Sequence, residues 1–442
     1  MVITRTRHLL CALVLVLATG LAYRGSLDNG FTFDDHAIVS GNPALPRQEW
    51  GRLASSSYWS MTGANTGLYR PVTMLSLALD ERLLGTDPAG FHAVNLALHA
   101  AVAVGLYGLA SRWLPWAPSC LSALLFALHP ALTEAVDSVV GRAELLALGL
   151  GLVAVRALWA SPRAGLGAAA VGLVALVAAQ GAKESAVVLA VALVGAAVAA
   201  RRRPALWVAP LLAGALATAL RWTVTGRLRP DQIGFIDNPL AYVDLPARLA
   251  SGIGIAIRYG LLLVFPWPLS ADYSYDQIRP WHPLGADAVA AALFAASLVA
   301  VGLGLVRRSP NGLLWASISL LAAGLVSHLA APLGTIFAER LVYLPAAGFC
   351  LLCGWALAAA VSRPRRQPVA ALLACAWLGI GGLLVARRTA EWRDDLSLFA
   401  AATRVTGARA RSHYGWGLAY QRGGDDEAAL AAYDRALAIY PR

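Results

Sequence analysis

Long runs of apolar residues follow one another along most of this chain, with shorter polar segments between them. A helix that crosses a bilayer needs about 20 such residues, and most of the runs approach that length. They cover residues 9–23, 91–111, 118–134, 143–160, 165–181, 185–200, 204–222, 248–266, 286–306, 311–331, 341–361 and 369–386. The pattern predicts an all-α, polytopic transmembrane helix bundle.

Arginine clusters indicate which polar segments face the cytoplasm, and they lie at residues 201–203, 307–308 and 363–366. Two apolar runs separate the last two clusters, as two cytoplasmic segments require, but three runs separate the first two. Run 248–266 has Arg258 in its middle and two prolines near its end, so we predict that it is re-entrant or interfacial. About eleven crossings remain, with a cytoplasmic N-terminus and a C-terminus on the far side.

The first polar segment, residues 24–90, is predicted to be a non-cytoplasmic loop. Within it, residues 72–84 are apolar but carry Asp80, Glu81 and Arg82. A helix with both characters is typical of one that lies on the membrane surface. We therefore expect amphipathic helices in this loop.

Composition supports the membrane assignment. The chain is 58% hydrophobic and 14% charged, with a mean hydropathy of +0.60, whereas soluble proteins are about 25% charged. A net charge of +11 could indicate nucleic acid. Because the arginines lie mostly between apolar runs, where they set topology, we exclude nucleic acid and name the lipid bilayer as the first partner.

One lysine, Lys183, stands among the 36 basic residues. The preference for arginine, with heavy use of alanine, leucine and glycine, is typical of a GC-rich bacterial genome, so we expect a bacterial inner-membrane protein. Either this position needs the compact ammonium group of lysine or the lysine persists by chance, and the sequence leaves both open.

The tail from residue 390 is soluble in composition, which predicts a membrane domain at 1–389 and a soluble tail at 390–442. Residues 410–442 fit one tetratricopeptide repeat (TPR), a helical hairpin with a 34-residue period. Six residues fall at its spacings: Gly417, Tyr420, Ala429, Tyr433, Ala436 and Pro441. A single repeat buries little surface, so we expect it to rest on the membrane domain or on a protein partner.

Asp34 and Asp35 follow the first apolar run directly. Adjacent carboxylates beside a membrane suit a general base or a divalent metal site. A solvated turn would produce the same pattern, and spacing alone does not exclude it.

Further ionisable residues lie at the ends of predicted spans and face the same side as Asp34. Charges at span ends are costly unless they pair or face water, and they therefore indicate a site. They are His129, Glu134, Arg142, Glu144, Lys183, Glu184, Glu339 and Arg340, with Tyr343 one turn beyond. Arg70, a further candidate, precedes the amphipathic segment 72–84 in the first loop. Arg142 could hold a phosphate with two parallel hydrogen bonds or form an interfacial salt bridge with Glu134 or Glu144. His92, Asn95 and His99 form a stripe that is more typical of helix–helix contacts.

Taken in order along the chain, these motifs resemble a known family. They are Phe33-Asp34-Asp35, Tyr69-Arg70-Pro71, Phe91-His92-x2-Asn95-x3-His99, His129-Pro130-x3-Glu134, Gly141-Arg142-x-Glu144, Lys183-Glu184, Glu339-Arg340-x2-Tyr343 and then the repeat. The set resembles the transmembrane-and-TPR-containing O-mannosyltransferases, which belong to the GT-C class of glycosyltransferases. The likeness covers nearly the whole chain, although the family usually carries a long repeat array and this sequence holds one repeat.

The resemblance implies a GT-C-like fold and an inverting transfer of a sugar, typically mannose, from a polyprenyl-phosphate donor. The acceptor would be a hydroxyl of a protein or glycan on the non-cytoplasmic face. The catalytic base would be an acidic residue of the first loop, and we favour Asp34 because it directly follows an aromatic residue. Asp35 would orient the loop, or hold an arginine or a metal. The remaining candidates would bind the donor phosphate or substrate.

Two other classes of protein fit part of the pattern. A transporter would place ionisable groups near mid-membrane and often show inverted repeats, whereas here the charges cluster at span ends. A non-catalytic membrane scaffold would explain the repeat but not Asp34–Asp35 or Lys183–Glu184. A one-sided cavity open to the bilayer, with these groups converging on it, would favour the transferase.

Overall fold

The computed structural model describes residues 2–159, 165–230, 232–281, 289, 310–407 and 409–441. These ranges are helical and contain no β-strand, which confirms the all-α prediction. The helices are α1 (Val2–Ala22), α2 (Trp50–Ser55), α3 (Pro71–Leu84), α4 (Pro88–Ala110), α5 (Trp116–Ala127), α6 (Thr133–Asp137), α7 (Arg142–Leu158), α8 (Leu166–Ala182), α9 (Val187–Ala199), α10 (Ala205–Thr225), α11 (Leu245–Val264), α12 (Pro310–Val326), α13 (Tyr343–Val361), α14 (Gln367–Glu391), α15 (Asp395–Thr406), α16 (Ala410–Arg422) and α17 (Asp426–Ile439).

Several of the described helices are long and apolar enough to cross a membrane, and the chain is an integral membrane protein. Five pass on length and hydropathy: Pro88–Ala110, Ala205–Thr225, Leu245–Val264, Glu339–Val361 and Pro364–Glu391. Four shorter apolar helices accompany them: Thr6–Ala22, Leu166–Ala182, Glu184–Ala199 and Leu314–Val326. The number of crossings stays a prediction, because the run at 286–306 lies mostly outside the described residues.

Proline and acidic residues mark where several helices begin. The Asp87 side chain accepts a hydrogen bond from the backbone N–H of Ala89 at 3.0 Å, and Pro88 is the first residue of α4. Asp244 caps α11 in the same way. Such caps satisfy backbone donors that have no partner inside the helix, so these boundaries are encoded locally.

Two predicted runs depart from the expected form. Run 118–134 is not one straight helix: α5 and the segment Pro130–Asp137 meet at a bend of 53°. His129 lies at the bend, where it accepts from the backbone N–H of Ala131. Run 248–266 is predicted to be re-entrant or interfacial. It forms one unbroken helix, α11, which does not turn back within the run and is long and apolar enough to cross a bilayer. The interfacial form stays a prediction. Arg258 lies on the exposed face of α11, whereas a hydrophobic stripe packs inward.

The first loop folds around a small apolar core of its own, distinct from that of the helix bundle. Ile38, Leu45, Tyr58, Leu77 and Phe91 are buried in it. This core joins the short helix α2 and the longer helix α3 to the start of α4. The loop is therefore a packed unit resting on the bundle, and its residues have defined positions.

The C-terminal helices form the predicted hairpin and rest on the loops of the membrane domain. Gly417 in α16 faces Tyr433 in α17 so closely that a Cβ at this glycine would overlap the tyrosine ring. Arg411 pairs with Asp237 at 2.5 Å, and the Ser412 hydroxyl donates to Asp272 at 3.0 Å. The single repeat is thus supported by contacts from the membrane domain, as its small size requires.

Candidate functional site

Asp35 ties the first loop to the turn before α7. Its carboxylate is fully buried and accepts hydrogen bonds from the backbone N–H groups of Thr32, Val139 and Val140 and from the Ser138 hydroxyl, at 2.9–3.3 Å. Burial raises its pKa to about 6, although the backbone hydrogen bonds oppose the shift. A carboxylate surrounded on all sides by protein donors holds structure together and does not meet a substrate.

Asp34, its neighbour, points elsewhere. Its side chain is 20% exposed, and one carboxylate oxygen lies 3.6 Å from Arg340 Nη2. The Arg340 guanidinium and its backbone N–H both donate to the buried Glu134 carboxylate, at 2.5 and 2.9 Å. Asp34 therefore shares its cation with a second carboxylate and remains accessible.

Two more ion pairs lie beside this group. Arg70 donates two hydrogen bonds to Glu184, at 2.6 and 2.9 Å, and its guanidinium lies 4.6 Å from the centre of the Tyr58 ring. Burial lowers the pKa of Arg70, but Glu184 more than offsets this and raises it above its usual value. Lys183 forms a short, buried ion pair with Glu144.

These seven side chains form one group, which we call the charge cluster: Asp34, Arg70, Glu134, Glu144, Lys183, Glu184 and Arg340. Arg340 lies within electrostatic range of Glu144, and Lys183 within range of both Arg70 and Arg340. Residues separated by some 300 positions in the chain thus converge at the ends of several helices, as the sequence suggested.

Arg142 does not join the charge cluster. Its guanidinium is fully buried, pairs with Asp80, and donates to the side-chain oxygen of Asn95 and the backbone carbonyls of Phe91 and Ser76. The structure contradicts the expectation of a phosphate contact. The alternative, a salt bridge with Glu134 or Glu144, is wrong as well, because the acidic partner is Asp80. Arg142 fixes α3, α4 and α7 to one another.

Tyr343 and His129 are core contacts as well. The Tyr343 hydroxyl lies 2.8 Å from Nδ1 of His99, and both side chains are fully buried. Nε2 of His129 lies 3.0 Å from the carbonyl of Leu263. Neither residue is placed to bind substrate, contrary to expectation. The contact between His99 and Tyr343 confirms that the stripe His92, Asn95 and His99 on α4 takes part in helix–helix contacts.

Glu339 is buried beneath the cluster. Its carboxylate accepts from the backbone N–H of Ser270 at 2.5 Å and the Tyr273 hydroxyl at 2.7 Å, and it pairs with Arg388 at 3.3 Å. It therefore anchors the segment around residue 270. Because its side chain is fully buried, it does not have the expected role in binding substrate.

An apolar groove leads from the charge cluster to the outer face of the bundle. A cavity of about 430 Å³ lies between α8 and α10, with Tyr69, Glu184 and Arg221 among its lining residues and mostly aliphatic walls. A second cavity of about 710 Å³, between α9 and α10, shares Val187 and Thr218 with the first and has almost wholly apolar walls. We call the two together the lipid groove.

Arg221 is a residue of this region that sequence reasoning missed. It lies inside a predicted span, where its Nε donates to the carbonyl of Gly67 at 2.5 Å and its Nη2 to that of Leu228 at 2.7 Å. The signal was available, because an arginine near the end of an apolar helix is costly unless it is paired or functional.

Within the described ranges, no three histidine, cysteine, aspartate or glutamate side chains are grouped as metal ligands would be. Asp34 and Asp35 turn to different partners, which explains why the adjacent carboxylates do not form such a group here.

The chain is similar in sequence to several proteins that are named protein O-mannosyl-transferases. The chain is 28% identical to mouse protein O-mannosyl-transferase TMTC4 over 95% of its length and 65% of the relative's. It is 29% identical to human TMTC4 over 93% of its length and 64% of the relative's. The Caenorhabditis elegans protein O-mannosyl-transferase F38B6.6 is 26% identical over 97% and 62%. No family model matches the chain.

These relatives confirm the resemblance drawn from the motifs, and the chain spans slightly less than two thirds of their length. Among solved structures, the chain is similar to ArnT from Cupriavidus metallidurans bound to undecaprenyl phosphate, with a TM-score of 0.44 and 14% identity over 96% of this chain and 74% of that one. The likeness is loose, and the fold described above rests on the helices themselves.

Asp35→Asn is expected to destabilise the protein more than Asp34→Asn. An amide NH2 cannot accept a hydrogen bond, so about two buried donors lose their partner, and each loss costs about 1–3 kcal/mol.

The difference in stability should also depend on pH. Since the folded-state pKa of Asp35 is raised to about 6 from 3.8, the folded protein binds an extra proton between these values. The stability gap between wild type and Asp35→Asn should therefore widen as the pH falls from 6 to 4. Thermal unfolding in detergent measures both effects, and equal melting temperatures for the two variants would contradict the anchoring role.

Proposed function

We propose that this protein is a glycosyltransferase that moves a sugar from a polyprenyl-phosphate donor to a hydroxyl acceptor on the non-cytoplasmic face of the membrane. The observation that carries the proposal is the accessible Asp34 beside Arg340, in a charge cluster whose Glu184 also lines an apolar groove. The curated relatives are named protein O-mannosyl-transferases, which supports mannose as the sugar and a protein hydroxyl as the acceptor.

Asp34 acts as the general base. Its carboxylate takes the proton of the acceptor hydroxyl while the acceptor oxygen forms a bond to the anomeric carbon of the sugar. The bond from that carbon to the phosphate oxygen breaks, and the polyprenyl phosphate leaves with the bonding electron pair. Attack from the face opposite the leaving group inverts the anomeric centre.

The cations of the charge cluster stabilise the phosphate as its negative charge grows. Arg70 and Arg340 are the more accessible, with side chains 12% and 23% exposed, and Lys183 lies behind them at 6%. Each is paired with a carboxylate, so an arriving phosphate competes with Glu184, Glu134 or Glu144 for its cation. Arg221, at the groove beside Glu184, adds a fourth positive charge.

The lipid groove suits the donor's polyprenyl chain. Its walls are mostly aliphatic, while Glu184 and Arg221 supply polar lining at one part of it. A lipid-linked sugar entering sideways from the bilayer would meet the charge cluster with its phosphate first. A transporter needs ionisable groups along a path through the membrane, and the described groups instead gather at one end.

Asp34→Asn should lose about 10²–10⁴-fold in turnover, the usual contribution of a general base, while the affinity for donor persists because the amide keeps the shape of the carboxylate. The assay is release of polyprenyl phosphate from polyprenyl-phosphate mannose by the purified protein, with donor binding measured separately. Wild-type turnover in Asp34→Asn would remove the base from this mechanism.

Ala217→Trp, a substitution in the wall of the groove between α8 and α10, should raise the KM for a long-chain polyprenyl donor about tenfold. A buried side chain of this size occupies space needed by several isoprene units, each CH2 of which contributes up to about 0.8 kcal/mol on burial. A donor with only two isoprene units should be unaffected. Leu212→Trp, on the exposed outer face of the same helix, is the matched control, and an equal effect on both donors would count against the groove.

We predict from the arginine clusters that the charge cluster and the C-terminal hairpin lie outside the cytoplasm, which for a bacterial inner membrane means the periplasm. A reporter that is active only in the periplasm should be active when fused after Arg442. Activity of a cytoplasmic reporter at the same position would contradict the prediction. The charge cluster would then face the cytoplasm, whereas the proposed transfer takes place on the other face of the membrane.

A further inference from the structure

The loop that carries Asp34 is in contact with the C-terminal segment, residues 389–422. The Asp395 carboxylate, at the start of α15, accepts the backbone N–H of Phe33 at 2.8 Å with one oxygen. Its other oxygen lies 2.9 Å from Nε2 of His36 and 2.5 Å from Nη1 of Arg422. One buried side chain thus touches the residues on both sides of the Asp34–Asp35 pair and the end of α16.

Phe33 adopts a conformation that needs such support. Its φ angle is +50°, in the left-handed region that residues other than glycine, asparagine and aspartate rarely occupy. A backbone of this kind persists only when its surroundings fix it. The ring of Phe33 packs edge-on against Phe399 of α15, with centroids 5.9 Å apart, and the Arg411 guanidinium of α16 lies 5.2 Å from its centre.

The preceding residues of the loop are attached to the same segment. The backbone N–H of Gly30 donates to the carbonyl of Arg393 at 2.9 Å, and the Asn29 amide donates to the carbonyl of Thr389 at 3.1 Å. The described chain therefore joins residues 29–36 to residues 389–422 through backbone, ionic and aromatic contacts. The direction of Asp34 follows from where that segment lies.

We propose that Asp395 is a positioning residue for Asp34, through which the C-terminal hairpin sets the geometry of the catalytic loop. This rests on the proposed function, in which Asp34 is the base. Asp395 fixes the amide of Phe33, Phe33 fixes the direction of the Asp34 side chain, and Arg422 links the arrangement to α16. A change in the docking of the hairpin would then shift the position of the Asp34 carboxylate without altering the lipid groove.

Asp395→Ala tests this in the full-length protein. Turnover should fall by about 10–100-fold, since a displacement of about 1 Å can cost about 10²-fold, while the KM for polyprenyl-phosphate mannose stays within about twofold. Amide hydrogen exchange in residues 31–36 should become at least about tenfold faster. Asp395→Asn should restore most of the turnover, because its carbonyl oxygen still accepts the amide of Phe33.

Asp276→Ala is the matched control. It removes another ion pair of the hairpin, with Arg409 at 3.3 Å, but Asp276 has no contact with residues 29–36 among those described. Turnover and exchange in residues 31–36 should stay near wild type. An equal loss in Asp276→Ala and Asp395→Ala would mean that loosening the hairpin is enough, and would overturn the specific role of Asp395.

Unchanged turnover in a folded Asp395→Ala would also overturn the proposal, as would unchanged exchange in residues 31–36. If Asp395→Ala does not fold, Asp395→Ser replaces it with the same outcomes, since a single hydroxyl does not span Phe33 and His36. Wild-type turnover in Asp34→Asn would show instead that the proposed base is wrong, and the exchange measurement would still report on the Asp395 contact.

Discussion

A charged group beside a bilayer must be paired or reach water, because neither lipid nor a packed helix bundle can solvate it. In this protein the pairing is made across long stretches of sequence. Arg70 of the first loop meets Glu184, Lys183 meets Glu144, and Arg340 meets Glu134. Each pair fixes the end of one helix against another, so the same interactions that make the charges tolerable also bring them together.

Pairing also separates the supporting charges from the reactive ones. Arg142 with Asp80 and Arg388 with Glu339 are buried, and removal of one partner from such a pair typically costs about 3–5 kcal/mol. Asp34 shares Arg340 with Glu134 and keeps part of its surface exposed. The proposed base and phosphate site thus lies at the boundary where buried ion pairs give way to accessible ones.

The C-terminal hairpin also contacts the loops of the membrane domain. Arg411 contacts Asp237 and also covers the ring of Phe33, so one side chain connects two loops of the membrane domain. A soluble repeat that is too small to be stable alone gains support from those loops, and the loops gain a fixed position from the repeat.

The sequence by itself determined the helical class, the membrane setting, most helix positions and the hairpin, because apolar runs, proline and aspartate caps and the repeat spacing are local patterns. It also selected Asp34, Arg70, Lys183, Glu184 and Arg340 as candidate site residues, which the structure brings into one cluster. It could not distinguish Arg142, His129, Glu339 and Tyr343 from them, since enclosed and accessible ionisable residues look alike in a one-dimensional pattern. Only the tertiary structure decided that Asp35 is an anchor while Asp34 is accessible, that run 118–134 bends, and that Asp395 supports Phe33. Those outcomes depend on which partners lie within about 3 Å across hundreds of residues, and no local pattern records that distance.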